Sequence, residues 1–478
     1  MSGKVQDSES DSHVGPPQPS AVPSARGRIW PALALVGMFW VVYAVPALIE
    51  WPIYAQFFTG VIDTALLTLL FLIWWLLTRS ATRKERVWGL LALFVGGAAA
   101  VAVSQKTLGT IGVLFFGLPI VFTAWAVWLL VSRNLSTAVR SMGLVAILGL
   151  SWSSMTLLRM DGLSGDLKAD VNWRWAPKAE DLYLAELAAA SSPIPAMEMP
   201  AGEHATALTL QPGDWPAVRG AARDGVVRNL TIDTDWDRNP PQLSWRKRVG
   251  PAWSSLAIIG ERLFTQEQRG EQEAVVCLDT NTGHELWAHE DAVRFWDGQA
   301  GAGPRATPTF VDGKLYTLGA TGLLNCLDAA SGKMLWQRDI VADTKAPLPM
   351  WGFASSPLVV DDVVIVFAGG SESKGLVAYR AASGEPQWTA ATGPISYGSP
   401  QPVQVGGETQ ILFLSDFGLV AVRPETGEVC WQHEAVNNSI WRATQPRLLG
   451  DASVLFGSED LGLVRLDLSS SASIWSAA

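Results

Sequence analysis

One phrase recurs along the second half of the chain and limits what it can fold into. Its clearest copies are Leu278-Asp279-Thr280-Asn281-Thr282-Gly283-His284-Glu285-Leu286-Trp287 and Leu327-Asp328-Ala329-Ala330-Ser331-Gly332-Lys333-Met334-Leu335-Trp336, with looser ones over 379–388, 422–431 and 466–475. Glycine at the turn accepts positive φ without a Cβ clash, so each copy reads as a hairpin whose second strand carries an indole. Further apolar runs precede the copies, at 309–318, 358–367, 410–414 and 453–456, making four-stranded units. Trp245, Trp287, Trp336, Trp388, Trp431 and Trp475 follow one another at steps of 42, 49, 52, 43 and 44 residues. Four strands in every ~40–50 residues is the period of propeller blades, which an ordinary antiparallel sandwich does not impose. A blade cannot bury both faces alone, so each Trp is expected to fill the seam to its neighbour.

The remainder of the chain has a different character. Of its 478 residues 49% are hydrophobic and only 17% charged, which points to membrane content in part of the sequence. The net charge of −10 comes without a basic cluster and speaks against a nucleic-acid surface. Three cysteines, Cys277, Cys326 and Cys430, are too few for a disulfide scaffold or a zinc or haem motif. Cys277 and Cys326 occupy equivalent places two residues before the repeat Asp and read as small buried hydrophobes.

Residues 1–28 are rich in Ser, Pro, Gly and Asp and are expected to be a disordered tail. Five apolar runs follow, at 29–49, 57–78, 87–103, 108–131 and 142–158. A bilayer core needs about 20 apolar helical residues, so the expectation is a five-span α-helical membrane domain over 29–158. Trp30, Trp51, Trp74, Trp75 and Trp88 gather near run ends as an interfacial belt would have them. Cations concentrate in the tail (Lys4, Arg26, Arg28) and two alternate loops (Arg79, Arg83, Lys84, Arg86; Arg133, Arg140). The positive-inside bias therefore puts the N-terminus in the cytoplasm and everything after Leu158 outside. Asp63 is the acid set within an apolar run and reads as a solvated carboxylate near a helix end, or alternatively as an ion relay. Pro46 and Pro119 are expected to kink or end helices, and Gly96-Gly97 to permit close helix packing. Residues 159–212, with Trp173-Arg174-Trp175, a helical stretch over 180–190 and a Ser/Pro/Met-rich run over 191–200, read as an exposed linker.

Asp214-Trp215-Pro216-Ala217-Val218-Arg219-Gly220, then Arg223-Asp224-Gly225, together with the Asp-x-x-Thr-Gly-x-x-x-Trp phrases, resemble the pyrroloquinoline-quinone-type (PQQ-like) β-propeller repeat proteins. The resemblance covers 213–478, the expected all-β propeller of four-stranded blades. That superfamily contains quinoprotein dehydrogenases and the propeller lipoprotein of the outer-membrane barrel-assembly machinery, so it implies a bacterial cell envelope without implying one activity. Family rings commonly carry seven or eight blades. Here six Trp marks stand, and the last copy has Ser471 in place of the turn glycine. Either the ring is smaller or the chain is cut short, and exposed sheet edges favour the second.

In a propeller, the loops entering the innermost strands converge on the channel mouth. Here those stretches contain Trp253, Arg305, Trp351, Tyr397, Trp441 and Arg442. Aromatic faces with cations suit a flat anionic ligand or a peptide carboxylate. The competing reading has the aromatics packing the blade tops and the Arg residues pairing with Asp297 or Glu459. Resemblance to the dehydrogenases would imply PQQ, calcium, an Asp base and adjacent cysteines. The adjacent cysteines are absent, and Asp297, Asp416, Asn437 and Asn438 form no recognisable calcium set. The functional expectation is a membrane-anchored, extracytoplasmic, non-catalytic binding module for an envelope protein or small anionic ligand. The alternative is a PQQ-dependent membrane dehydrogenase feeding the quinone pool, an architecture similar to that of membrane-bound glucose dehydrogenases. A sensor transmitting propeller occupancy to the helices is a third reading.

Overall fold

The computed structural model describes residues 29–49, 51, 53–163, 168–190, 208–228, 230–298, 300–370, 374–435, 443–450, 452–458, 461–470 and 473–477. The expected tail, the 191–200 run and Ser471 lie outside the described residues. The chain divides into two compact units, Met1–Met160 and Asp161–Ala478.

The first unit holds helices α1 (Trp30–Leu48), α2 (Ile53–Leu77), α3 (Arg83–Val103), α4 (Gly109–Val131) and α5 (Thr137–Met155). Four stretches, Ala55–Leu77, Arg83–Val103, Gly109–Asn134 and Thr137–Met155, are long and apolar enough to cross a membrane, and Trp30–Val45 is a shorter apolar helix. Helix α3 starts before its apolar run because Thr82 and Glu85 form a reciprocal capping box, with Thr82 N to Glu85 Oε2 at 2.7 Å and Glu85 N to Thr82 Oγ1 at 3.2 Å. Neither Pro46 nor Pro119 ends its helix. The small residues do serve packing: a Cβ on Gly96 or Gly117 would lie 2.7 Å from the Trp152 ring, which is buried. Asp63 is half-buried within α2, and its Oδ2 is buried without a partner among the described groups, unlike a solvated helix-end carboxylate.

The second unit contains five four-stranded antiparallel sheets, each built from consecutive strands. The first comprises Ala257–Ile259, Arg262–Arg269, Gln272–Asp279 and Glu285–Asp291, and the second Thr309–Val311, Lys314–Leu318, Leu323–Asp328 and Met334–Asp339. The third comprises Leu358–Val360, Val363–Phe367, Leu376–Arg380 and Pro386–Ala390, and the fourth Gln401–Val405, Glu408–Ser415, Gly418–Val422 and Val429–Glu434. Arg447–Leu449, Ser453–Ser458, Gly462–Asp467 and Ser473–Ala477 make the fifth. The third and fourth strands of every blade shift register at one equivalent place, Cys277/Leu278, Cys326/Leu327, Ala378/Tyr379, Ala421/Val422 and Arg465/Leu466. The cause is local. Asp279 Oδ1 accepts from Asn281 N at 3.0 Å, Thr282 N at 2.8 Å and Thr282 Oγ1 at 2.8 Å, closing an Asx turn that forces the extra residue.

The repeated Trp and Gly meet across the seams. Nε1 of Trp245, Trp287, Trp336 and Trp388 donates to the carbonyls of Thr280, Ala329, Ala381 and Pro424 at 2.8, 3.2, 3.0 and 2.8 Å, each three residues before the turn glycine of the next blade. Trp431, which faces the copy lacking that glycine, turns to Gln410 Oε1 of its own blade at 2.9 Å. Gly332 needs its identity twice, since its φ is +71° and a Cβ would lie 2.5 Å from Trp287. Gly332→Ala should therefore lower stability by about 2–3 kcal/mol, combining left-handed strain with a displaced indole. Gly406→Ala, with φ +61° and nothing within 4 Å, should lose only the strain, about 1–2 kcal/mol. Denaturant midpoints of the two variants measure the difference.

The Ser/Thr marks that open the blades form a hydrogen-bonded belt. Ser255 N donates to Thr307 Oγ1 at 3.2 Å, Thr307 N to Ser356 Oγ at 2.9 Å, Ser356 N to Ser399 Oγ at 2.9 Å and Ser399 N to Gln445 Oε1 at 3.1 Å. Inside that belt runs the segment carrying Trp215 and Arg223. Trp215 pairs with Ile258 of the first blade through two 2.8 Å bonds, and Pro216 O accepts from Phe310 N of the second at 2.8 Å. The Arg223 guanidinium donates to Thr309 Oγ1 at 3.2 Å, Ser356 O at 3.4 Å, Pro400 O at 3.0 Å and also Pro357 O. Asp224 O accepts from Arg447 of the fifth blade. One short segment thus touches the innermost edge of all five blades.

The exposed spacer expected over 159–212 is corrected over α6 (Ala179–Ala190), which packs on the first blade. Arg294 Nη1 and Nη2 clasp Glu180 at 2.7 and 2.9 Å, Arg248 Nε reaches Glu186 at 3.1 Å, and Tyr183 Oη donates to the buried Glu267 carboxylate at 2.5 Å. Burial, reinforced by that carboxylate, pushes the Tyr183 phenol well above its ordinary range.

Candidate functional site

The loops that lead into the blades bring four of the six expected site residues into one chain of contacts. Trp253 Nε1 donates to Ala300 O at 2.7 Å and Trp253 N to Pro304 O at 2.9 Å, tying it to the irregular stretch before the second blade. Arg305 ends that stretch, and its Nε donates to Trp351 O at 3.0 Å. The Trp351 and Tyr397 rings lie with centroids 5.0 Å apart at 44°. Trp441 and Arg442 lie outside the described residues.

Arg305 does not present the free cation expected of it. Its Nη2 meets Asp297 Oδ2 at 2.6 Å and Gly301 O at 2.9 Å, Nη1 donates to Gly303 O, and the guanidinium carbon lies 4.6 Å from the Phe295 ring centroid. Burial lowers its pKa while Asp297 works the other way. Four hydrogen bonds to the protein thus occupy a guanidinium with five N–H donors, and the side chain is only 6% exposed, so an anionic ligand would have to displace part of this set.

Beside Arg305, Trp351 and Tyr397 line a crevice of about 270 Å³ with Leu348, Met350, Phe367 and Pro394 among its walls. Met350, Leu348 and Ile395 at its rim are 75%, 47% and 43% exposed, an unusual outlay of apolar surface in one place. Among the described residues no carboxylate, imidazole, ammonium or guanidinium lines it. Such walls favour an uncharged apolar or aromatic group.

Behind Arg305 lies a buried carboxyl that the sequence did not single out. Glu273, 6% exposed, accepts from Ala320 N at 3.2 Å on both oxygens. Burial pushes its pKa up to about 7, with Ala320 N–H opposing and the Asp291 charge adding to the rise. Asp291 itself stays low: burial pulls it upward, but His289, Asn325 and Gln337 outweigh that, with Asn325 Nδ2 at 2.6 Å and Gln337 Nε2 at 2.7 Å. Glu273 follows Glu271 and Gln272 at the polar start of its strand, so the local pattern marks it as surface. Among the described residues no three His, Cys, Asp or Glu side chains gather as a metal site. Of the calcium candidates, Asp297 is held by Arg305 and Asp416 Oδ1 accepts from Ile395 N at 3.1 Å, while Asn437 and Asn438 lie outside the described residues. Among the described residues these candidates gather no calcium ligand set. Cys277 and Cys326 are buried free thiols, as the repeat position implied.

Residues 271–478 match a family model described as outer membrane protein assembly factor BamB. A quinohemoprotein alcohol dehydrogenase, ADH-IIG of Pseudomonas putida, is 26% identical over 258 residues, covering 51% of this chain and 34% of the dehydrogenase. The assembly factor BamB of Shewanella oneidensis is 26% identical over 263 residues, covering 49% of this chain and 60% of that protein. The chain thus spans only 34% and 60% of the lengths of these two relatives. Among solved structures, a europium-containing methanol dehydrogenase aligns at a TM-score of 0.44 and 14% identity, over 55% of this chain and 58% of that one.

Proposed function

We propose, for a chain whose residues 271–478 form a repeat domain of the BamB type, that five N-terminal spans anchor an extracytoplasmic propeller in a bacterial inner membrane. The N-terminus is cytoplasmic, and the propeller binds an envelope protein without chemistry of its own. The observation that carries this reading is the pairing of a buried Arg305, held by Asp297, with an uncharged aromatic crevice at Trp351 and Tyr397. The bound element is an apolar or aromatic side-chain cluster of the partner, since hot spots of this kind are desolvated aromatic pockets. Relatives described as assembly factors support a binding role. The quinohemoprotein relative favours the second reading, a PQQ-dependent membrane dehydrogenase.

Trp351→Ala and Tyr397→Ala should each weaken partner binding by tenfold or more, the loss of one central aromatic anchor, with unchanged thermal stability. The measurement is site-specific crosslinking from Met350, exposed at the rim, followed by affinity measurement with the captured protein. Purified full-length protein incubated with PQQ and calcium should lose the quinone absorbance on gel filtration. Retention of that absorbance with alcohol-dependent dye reduction would establish the dehydrogenase reading in its place.

A further inference from the structure

Two tryptophans outside the crevice stand exposed where the chain has just left its last long apolar helix. Helix α5 ends at Met155, and strands Leu158–Leu163 and Ala169–Trp173 pair in a two-stranded sheet. So short a connection, 164–168, permits only antiparallel pairing, which brings the chain back on itself at Trp173. A turn follows at once, closed by Ala176 N to Trp173 O at 3.0 Å. It sets the Trp173 and Trp175 rings face to face, centroids 5.2 Å apart and 10° from parallel. The rings are 53% and 66% exposed, and the side chains of Arg174 and Lys178 beside them are exposed as well.

We propose that Trp173 and Trp175 bed into the headgroup region of the bilayer as an interfacial anchor for the hairpin. The proposal rests on the membrane-anchored reading above. Indoles favour the membrane–water boundary because the ring is apolar while its N–H retains a polar partner, and neighbouring cations attract lipid phosphate. A protein partner or a second copy would need its own complementary surface. The bilayer is instead supplied by the chain's own connectivity to a helix long and apolar enough to cross it.

The test uses full-length protein carrying Trp175→Cys and Cys430→Ser, since Cys277 and Cys326 are buried. A nitroxide attached at 175 is examined in nanodiscs of phosphatidylcholine and phosphatidylglycerol. Dissolved oxygen should relax it severalfold more effectively than a water-soluble nickel chelate, and a label at Leu286→Cys on an outer propeller strand should show the reverse. Chelate access at 175 equal to that at 286 overturns the proposal. Exclusion of both probes also overturns it, because protein then covers the site. Arg174→Cys repeats the measurement if the first variant misfolds. Failure of the membrane-anchored reading is separately visible, as protein that does not co-purify with the discs.

Discussion

Arg223→Met should destabilise the propeller by about 3–5 kcal/mol, the range for removing one partner from a buried, charge-assisted hydrogen-bond set. Replacing a buried ion pair with apolar residues can be neutral, because both charges go together. That escape is closed here. The partners of Arg223 are Thr309 Oγ1 and the carbonyls of Ser356, Pro357 and Pro400, and three of those four are main chain. Methionine would fill volume and leave the Ser356 and Pro400 carbonyls without this donor, while Pro357 O keeps its 2.7 Å bond from Thr309 Oγ1. Burial lowers the guanidinium to about 9, so it is still charged at neutral pH. Arg223→Lys should fall between, since one ammonium cannot span acceptors from three blades as a planar fork does. Denaturant midpoints of the full-length protein, followed by near-ultraviolet dichroism, read the effect. A methionine variant within about 1 kcal/mol of the parent would show that the central segment is incidental to blade assembly.

The second large effect is a pH dependence centred on Glu273. Its carboxyl is raised from 4.5 to about 7, chiefly by burial. The folded state therefore holds this proton more tightly than the unfolded state. The contribution is fully present below pH 4.5, declines as pH rises towards about 7, and is flat beyond. At about 1.4 kcal/mol per unit, the loss amounts to about 1–3 kcal/mol. Glu273→Gln keeps an acceptor for Ala320 N–H and abolishes the ionisation. The variant should match the parent near pH 4.5 and exceed it in stability at pH 8 by that amount. Subtracting the two unfolding curves across pH 4.5 to 8 removes the contribution of all other carboxyls. A flat difference would mean that Glu273 ionises freely, through water reaching the Ala320 side.

Much of the architecture was legible because it is periodic and local. The Asp279 and Asp328 turns are closed within three residues of their own carboxylates, so the phrase itself specifies the hairpin and its bulge. The seam contacts follow from repetition: if every blade offers an indole and a glycine, adjacent copies can satisfy one another. The exception is Trp431, whose indole takes Gln410 of its own blade. Helix α3 starts four residues before its apolar run for a local reason as well, the polar capping residues supplying the first turn of an apolar helix.

The candidate site was legible only in part. Trp253, Arg305, Trp351 and Tyr397 were expected on one rim by their equivalent positions before successive blades, and in the structure Arg305 meets Trp351, Trp351 meets Tyr397, and Trp253 joins them through Ala300 and Pro304. What they do there depends on groups without periodicity. Arg305 is consumed by Asp297 and three carbonyls, which turns an expected anion site into a rigid wall beside an apolar crevice.

The sequence by itself determined the blades, the indole and glycine seams, and the helices apolar enough for a membrane. Each rests on hydrogen bonds and burial patterns repeated within about one blade length. Tertiary structure alone decided what stands at the centre and which charges are spent. Arg223 meets Ser356 and Pro400 across 133 and 177 residues, and Tyr183 meets Glu267 across 84. Pairings at such separation leave no mark in the local pattern, because they arise only once the blades have assembled around them.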